Sequence, residues 1–193
     1  MKRINNTICT IVLMMCMSIS VAAQHKMAGI YKTMNDYREN HLSYSKDSSQ
    51  EIPRITLHTL APRDYVSIQY NGNNIHLNKD QFFAYQLTNG EVYRLAGSNA
   101  YQLLNKGPHL LLYKRKIPAS PKEFPSGKFK YYFSTDQDNT MKELTAWNIK
   151  KAFPDNTTLA DQVDALFKRD DELMAYDRFH EMYKLEWLLT EKK

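Results

Sequence analysis

The chain has 193 residues, 42% of them apolar and 12% aromatic, with a formal net charge of +5 at pH 7. That charge is too mild for a nucleic-acid-binding protein, whose phosphate contacts demand a clear excess of cations. Both cysteines, Cys9 and Cys16, fall near the start, so the rest of the chain has no thiol for a disulfide, a metal or nucleophilic catalysis.

Residues 1–23 read as a cleavable secretory signal. Lys2 and Arg3 precede a mostly apolar stretch from Ile8 to Ile19, and Val21, Ala22 and Ala23 supply small residues for cleavage after Ala23, with Ala22 as the alternative. The apolar run is shorter than the roughly 20 residues that a membrane span needs, and no later stretch approaches that length. Cys16 follows Met15, too bulky for the position before a lipid-modified cysteine, so Cys16 reads as part of the signal core rather than as a lipoprotein anchor. Residues 24–193 are then expected to form one domain, periplasmic or secreted, with a net charge of +3 once Lys2 and Arg3 are removed.

Within that domain, 24–51 are expected to hold a short strand at Gly29-Ile30-Tyr31, a brief helix capped by Thr33 and a polar loop. From 52 to 144 the apolar period is two. Ile55 and Leu57 alternate with polar neighbours, as do Val66, Ile68 and Tyr70, before Asn71-Gly72 and a returning strand through Ile75 and Leu77. Three more hairpins are expected. Phe82–Leu87 joins Val92–Leu95 across Asn89-Gly90, Tyr101–Leu104 joins Leu110–Tyr113 across Lys106-Gly107-Pro108, and Lys128–Ser134 joins Met141–Leu144 across 136–139.

The last quarter, 145–193, reads as helical. Thr145 opens a helix that Pro154 stops, and Thr157 or Thr158 opens a second. A long final helix is expected from about Asp171 to Thr190, with Leu173, Tyr176, Phe179, His180, Tyr183 and Trp187 on one face at three- and four-residue steps. The expected fold is α+β: an antiparallel, strongly curved sheet or partial barrel of about eight strands, closed by C-terminal helices.

Three groups of residues stand out as candidates. Asp177 and His180, with Glu181 next door, share a helix face on that reading, where they could serve a metal or a proton-transfer site, as in a hydrolase, or be a core histidine hydrogen-bonded to one carboxylate. His41, His58, His76 and His109 are scattered singly, with no partner at ligand spacing, so no metal or cofactor is expected. Tyr176, Phe179, Tyr183 and Trp187 form an aromatic face, whereas Leu185 and Leu189 sit off it, so that either the helix end is embedded or an exposed apolar strip is left for a partner. Lys114, Arg115 and Lys116 belong to a basic stretch between Lys106 and Lys130 in which Glu123 is the one acid. Such a stretch suits an acidic envelope surface such as phosphate-bearing lipid or polysaccharide, or is a solvated strand end and loop broken by Pro118, Pro121 and Pro125.

Several short motifs carry a resemblance. Gly29-Ile30-Tyr31-Lys32-Thr33 with Asp36-Tyr37, the segments Ala84-Tyr85 and Tyr93-Arg94, Phe153-Pro154-Asp155-Asn156, and Tyr176-Asp177-Arg178-Phe179-His180 with Tyr183-Lys184 resemble an uncharacterised family of exported Bacteroidetes proteins. The resemblance implies a Gram-negative envelope or secreted location and carries no activity. The functional expectation is a non-catalytic binding or interaction module, its partner an envelope protein or an acidic envelope surface. The alternatives are a small-ligand carrier with a barrel-like cavity and a hydrolase using Asp177 and His180.

Overall fold

The computed structural model describes residues 27–45, 52–58, 61–118 and 128–190. The expected signal lies outside the described residues, as do part of the polar loop and the segment after Pro118.

Strand β1 (Gly29–Tyr31) leads into helix α1 (Met34–Glu39). The Thr33 hydroxyl accepts from the Asp36 N–H while the Asp36 carboxylate accepts from the Thr33 N–H, a reciprocal cap that fixes where the helix begins. Asn40, at φ 60°, ends it in the left-handed conformation. The next strands are β2 (Arg54–Thr56), β3 (Tyr65–Tyr70), β4 (Asn73–Asn78), β5 (Ala84–Gln86) and β6 (Val92–Ala96). They are followed by β7 (Asn99–Leu103), β8 (Leu110–Ile117), β9 (Lys128–Thr135) and β10 (Lys142–Glu143).

All four expected hairpins form. β3 and β4 meet at Asn71-Gly72, where both residues take positive φ (50° and 73°), the backbone that a two-residue turn between twisted strands requires. The antiparallel α+β architecture is as expected, but the sheet is neither strongly curved nor closed into a partial barrel. Seven strands make an open sheet in the order β1-β5-β6-β7-β8-β9-β10, with β1 and β10 as its edges, and β2-β3-β4 pair only among themselves. The reason lies in side-chain burial. Val66 and Ile68 of β3 pack with Ile30 and Tyr85 of the larger sheet, so the meander lies on a face instead of extending an edge.

Register shows which side chains share a face, because residues alternate along a strand. Tyr93 pairs with Gln102, Gln102 with Lys114 and Lys114 with Tyr131, which places Tyr85, Tyr93, Leu112 and Phe133 on one side. The three-stranded meander covers the β1 end of that side, and the C-terminal elements cover the β9 end through Leu110, Leu112 and Phe133. The opposite side carries Tyr31, Tyr101, Leu103, Leu111 and Tyr113 and is packed by Tyr37 of α1. There the Tyr113 and Ser134 hydroxyls lie 2.8 Å apart, and Arg94 Nη1 donates to the Tyr113 oxygen at 3.1 Å.

Thr145 caps helix α2 (Ala146–Ala152), its hydroxyl accepting from the Asn148 N–H at 3.1 Å. Asn156, rather than a threonine, caps α3 (Thr157–Leu166), accepting from the Leu159 N–H at 3.0 Å. The long final helix does not exist. In its place stand a 3-10 turn (Asp170–Met174), a hairpin of β11 (Tyr176–Asp177) and β12 (Met182–Tyr183), and a seven-residue helix α4 (Lys184–Thr190).

Candidate functional site

The hairpin replaces the helix because Asp177 offers the backbone another set of hydrogen bonds. Its Oδ1 accepts from the Phe179 N–H at 2.8 Å and from the His180 N–H at 3.3 Å. Its Oδ2 lies 2.9 Å from His180 Nδ1. An ionised carboxylate only accepts, so Nδ1 carries the proton. Glu181, at φ 53°, closes the loop in a conformation that no α-helix contains. Tyr176 then faces Tyr183 across the strands, their rings edge to face at 5.4 Å.

The result is an ordered aromatic projection. Phe179 is 89% exposed and meets the His180 ring edge-on at 4.9 Å. The His180 ring in turn stacks on Trp187 of α4 at 5.0 Å, with planes 25° apart. Tyr176 is 52% exposed. Tyr183 is half-buried, and its phenol is pushed up first by that burial and then by the neighbouring phenols of Tyr131 and Tyr176. Tyr183 and Tyr131 of β9 both pack against the cluster of Leu112, Phe133 and Leu185.

Of the two fates open to Leu185 and Leu189, embedding is the one found. Leu185 and Leu189 form no exposed strip; they are 0% and 5% exposed and pack with Leu112 and Phe133. Of the aromatic residues meant for the core, Phe179 and Tyr176 face water instead, whereas Tyr183 and Trp187 stay partly buried against the core. His180 is partly exposed, its stacking on Trp187 replacing the core position that the helical stripe implied. Lys114, Arg115 and Lys116 lie on β8.

Asp177 and His180 are adjacent, as a catalytic pair requires, but both carboxylate oxygens are engaged in shaping the loop. Among the described residues no group of three or more histidine, cysteine, aspartate and glutamate side chains is placed to hold a metal ion. The hydrogen bond from the His180 ring, and then that from the Phe179 N–H, holds the Asp177 carboxyl below its ordinary value. A carboxylate with a lowered folded-state pKa stabilises the fold above its unfolded value, and this contribution is lost as pH falls through the folded value. Hairpin order, read from amide exchange at Phe179 and His180, is therefore expected to persist through neutral pH and to fail only in acid, as pH falls below the ordinary aspartate range.

A cleft of about 550 Å³ opens between α1, the β5–β6 turn and the end of β7, lined by Tyr31, Tyr37, Gln86, Glu91, Gln102 and Asn105 among others. Its polar groups bind one another. Tyr31 donates to Gln86 Oε1 at 2.8 Å, Tyr37 to the Asn105 carbonyl at 2.9 Å, and Tyr93 and Gln102 to Glu91. Asn105 also braces the β7–β8 turn, accepting from the Leu112 N–H at 2.7 Å and donating to the Leu110 carbonyl at 2.9 Å. A Cβ at Gly107 would come 2.9 Å from the Leu110 carbonyl oxygen and 3.0 Å from Asn105 Nδ2. Gly107→Ala should cost about 1–3 kcal/mol, read as a lower denaturation midpoint.

Family models, curated proteins and solved structures give no match to this chain. Among the described residues, no helix is long and apolar enough to cross a membrane.

Proposed function

We propose that the protein is an exported, non-catalytic binding module of the bacterial envelope, with the hairpin from Tyr176 to Tyr183 as its contact element. The observation that carries this reading is Phe179, 89% exposed at the tip of a loop whose polar groups are committed to holding it there. Leaving a phenyl group in water forgoes about 1.5–3 kcal/mol of burial. A flexible loop would let it fold back, but the Asp177 bonds and the His180–Trp187 stack oppose that. A large aromatic side chain held in a fixed position is the kind of anchor that dominates binding energy, because little freedom is lost when the partner arrives.

Export rests on the leader-like first 23 residues and on the resemblance to exported proteins. Phe179→Ala tests the contact. An anchor of this kind contributes roughly 2 kcal/mol or more, so the variant should leave any native assembly in envelope extracts and migrate as the free chain, with its thermal midpoint unchanged. Unchanged migration would remove the hairpin from the account, and a fall in the midpoint would make Phe179 structural.

A further inference from the structure

The β2–β4 meander turns one side of its strands to the core and the other to water. Ile55, Ile68 and Ile75 pack inward with Ile30 and Tyr85, so the residues that alternate with them point outward. On that outer side Arg54 pairs with Gln69 and Gln69 with Asn74, a row across all three strands, while Thr56 pairs with Ser67 in the next row. These five residues and His58 line a hollow of about 330 Å³.

His58 closes one end of it. Its φ of 52° is uncommon outside glycine and persists only where the surroundings hold it. Here Nε2 lies 2.8 Å from Ser67 Oγ, and the ring meets Tyr65 edge to face at 5.2 Å. The remaining polar groups differ from those of the cleft beside α1, which bind one another. Among the described residues, the side chains of Arg54, Thr56, Gln69 and Asn74 make no hydrogen bond or ion pair within the protein. A guanidinium, a hydroxyl and two amides therefore line one hollow with their donors and acceptors open. None of the described residues that line it is an acid.

We infer that this hollow binds a uronic acid residue of a saccharide, its carboxylate on Arg54 and its hydroxyls on Thr56, Gln69 and Asn74. The planar fork of a guanidinium matches one carboxylate, and Arg54 is the one permanent charge in the lining. Hydroxyl and amide side chains both donate and accept, as the hydroxyls of a sugar do. A phosphate is chiefly an acceptor and would leave the amide oxygens without donors. The volume is small for a ligand cleft and suits a single ring. The site rests on the meander and does not depend on the hairpin contact.

The test titrates the purified, isotope-labelled protein with galacturonic acid, galactose or inorganic phosphate and follows the side-chain amide signals of Gln69 and Asn74. Galacturonate should shift both signals and bind roughly tenfold more tightly than galactose, which lacks the carboxylate. Arg54→Gln should remove that preference and leave the two sugars equal, whereas Gln69→Ala/Asn74→Ala should weaken both. Arg54, Gln69 and Asn74 are exposed, so the thermal midpoints of these variants should stay unchanged. If a variant does not fold, the three ligands on the unaltered protein decide alone. Equal binding of galactose and galacturonate overturns the inference, as does phosphate that shifts the same amides with equal affinity. So does an Arg54→Gln variant that keeps the preference, or galacturonate that leaves both amides unmoved.

Discussion

A chain ending at Arg169 should fail to fold, giving insoluble or molten protein. The loss removes Leu173, Leu185, Leu188 and Leu189, all buried against Leu110, Leu112 and Phe133 of the sheet. Each fully buried leucine stabilises by about 1.5–3 kcal/mol, so losing four equals or exceeds most of the roughly 5–15 kcal/mol that holds a typical domain together. The truncation also bares the sheet side chains that these leucines cover, and a bared apolar sheet face is prone to aggregate. Solubility with near-ultraviolet circular dichroism is the measurement. A soluble fragment with cooperative melting would mean that the sheet and its other layers suffice alone.

Within the same segment, single substitutions should separate support from display. Leu185 is wholly buried, so Leu185→Ala should cost about 2–5 kcal/mol, from lost transfer energy and the cavity left behind. Trp187 is only partly buried, covering the cluster with one side and His180 with the other, so its truncation should cost less. Phe179→Ala should fall within about 0.5 kcal/mol of the unaltered protein, as a surface change away from any packed feature. Urea midpoints at constant slope give this ranking directly. A Phe179 effect as large as that of Leu185 would place the ring in the core.

That ranking reverses the one a helical reading supports, and the reason is instructive. Tyr176 and Tyr183 are seven residues apart, a spacing that puts two side chains on one helix face after about two turns. The same separation makes them direct partners across a hairpin with a four-residue loop. Periodicity cannot separate these cases in so short a segment. The sign that could have done so is Asp177, a residue whose side chain readily bonds the backbone two residues on and so starts a turn. Leu185 and Leu189, off the aromatic face on the helical reading, belong to the core because α4 turns independently of the hairpin.

The sheet was far easier to read. Strict alternation in Val66–Tyr70, the Asn71-Gly72 turn, and the threonine caps at Thr33 and Thr145 are local devices, and local devices leave local marks. How strands group into sheets is set by long-range burial. Nothing within β2–β4 announces that this meander lies on the larger sheet instead of lengthening it. The basic stretch was equally plain in composition. That β8 and β9 run on there past the ends of β7 and β10 is displayed only by the folded register.

The most direct test of the binding account places a photoreactive phenylalanine analogue at position 179 in the native cells, with the same analogue at Trp147 for comparison. Trp147 is also largely exposed, at 65%, but it lies on α2 with Lys151 against its ring. Irradiation should yield a discrete adduct from position 179 and only background from position 147. Background from both positions, or the same adducts from both, would contradict the hairpin as the contact element.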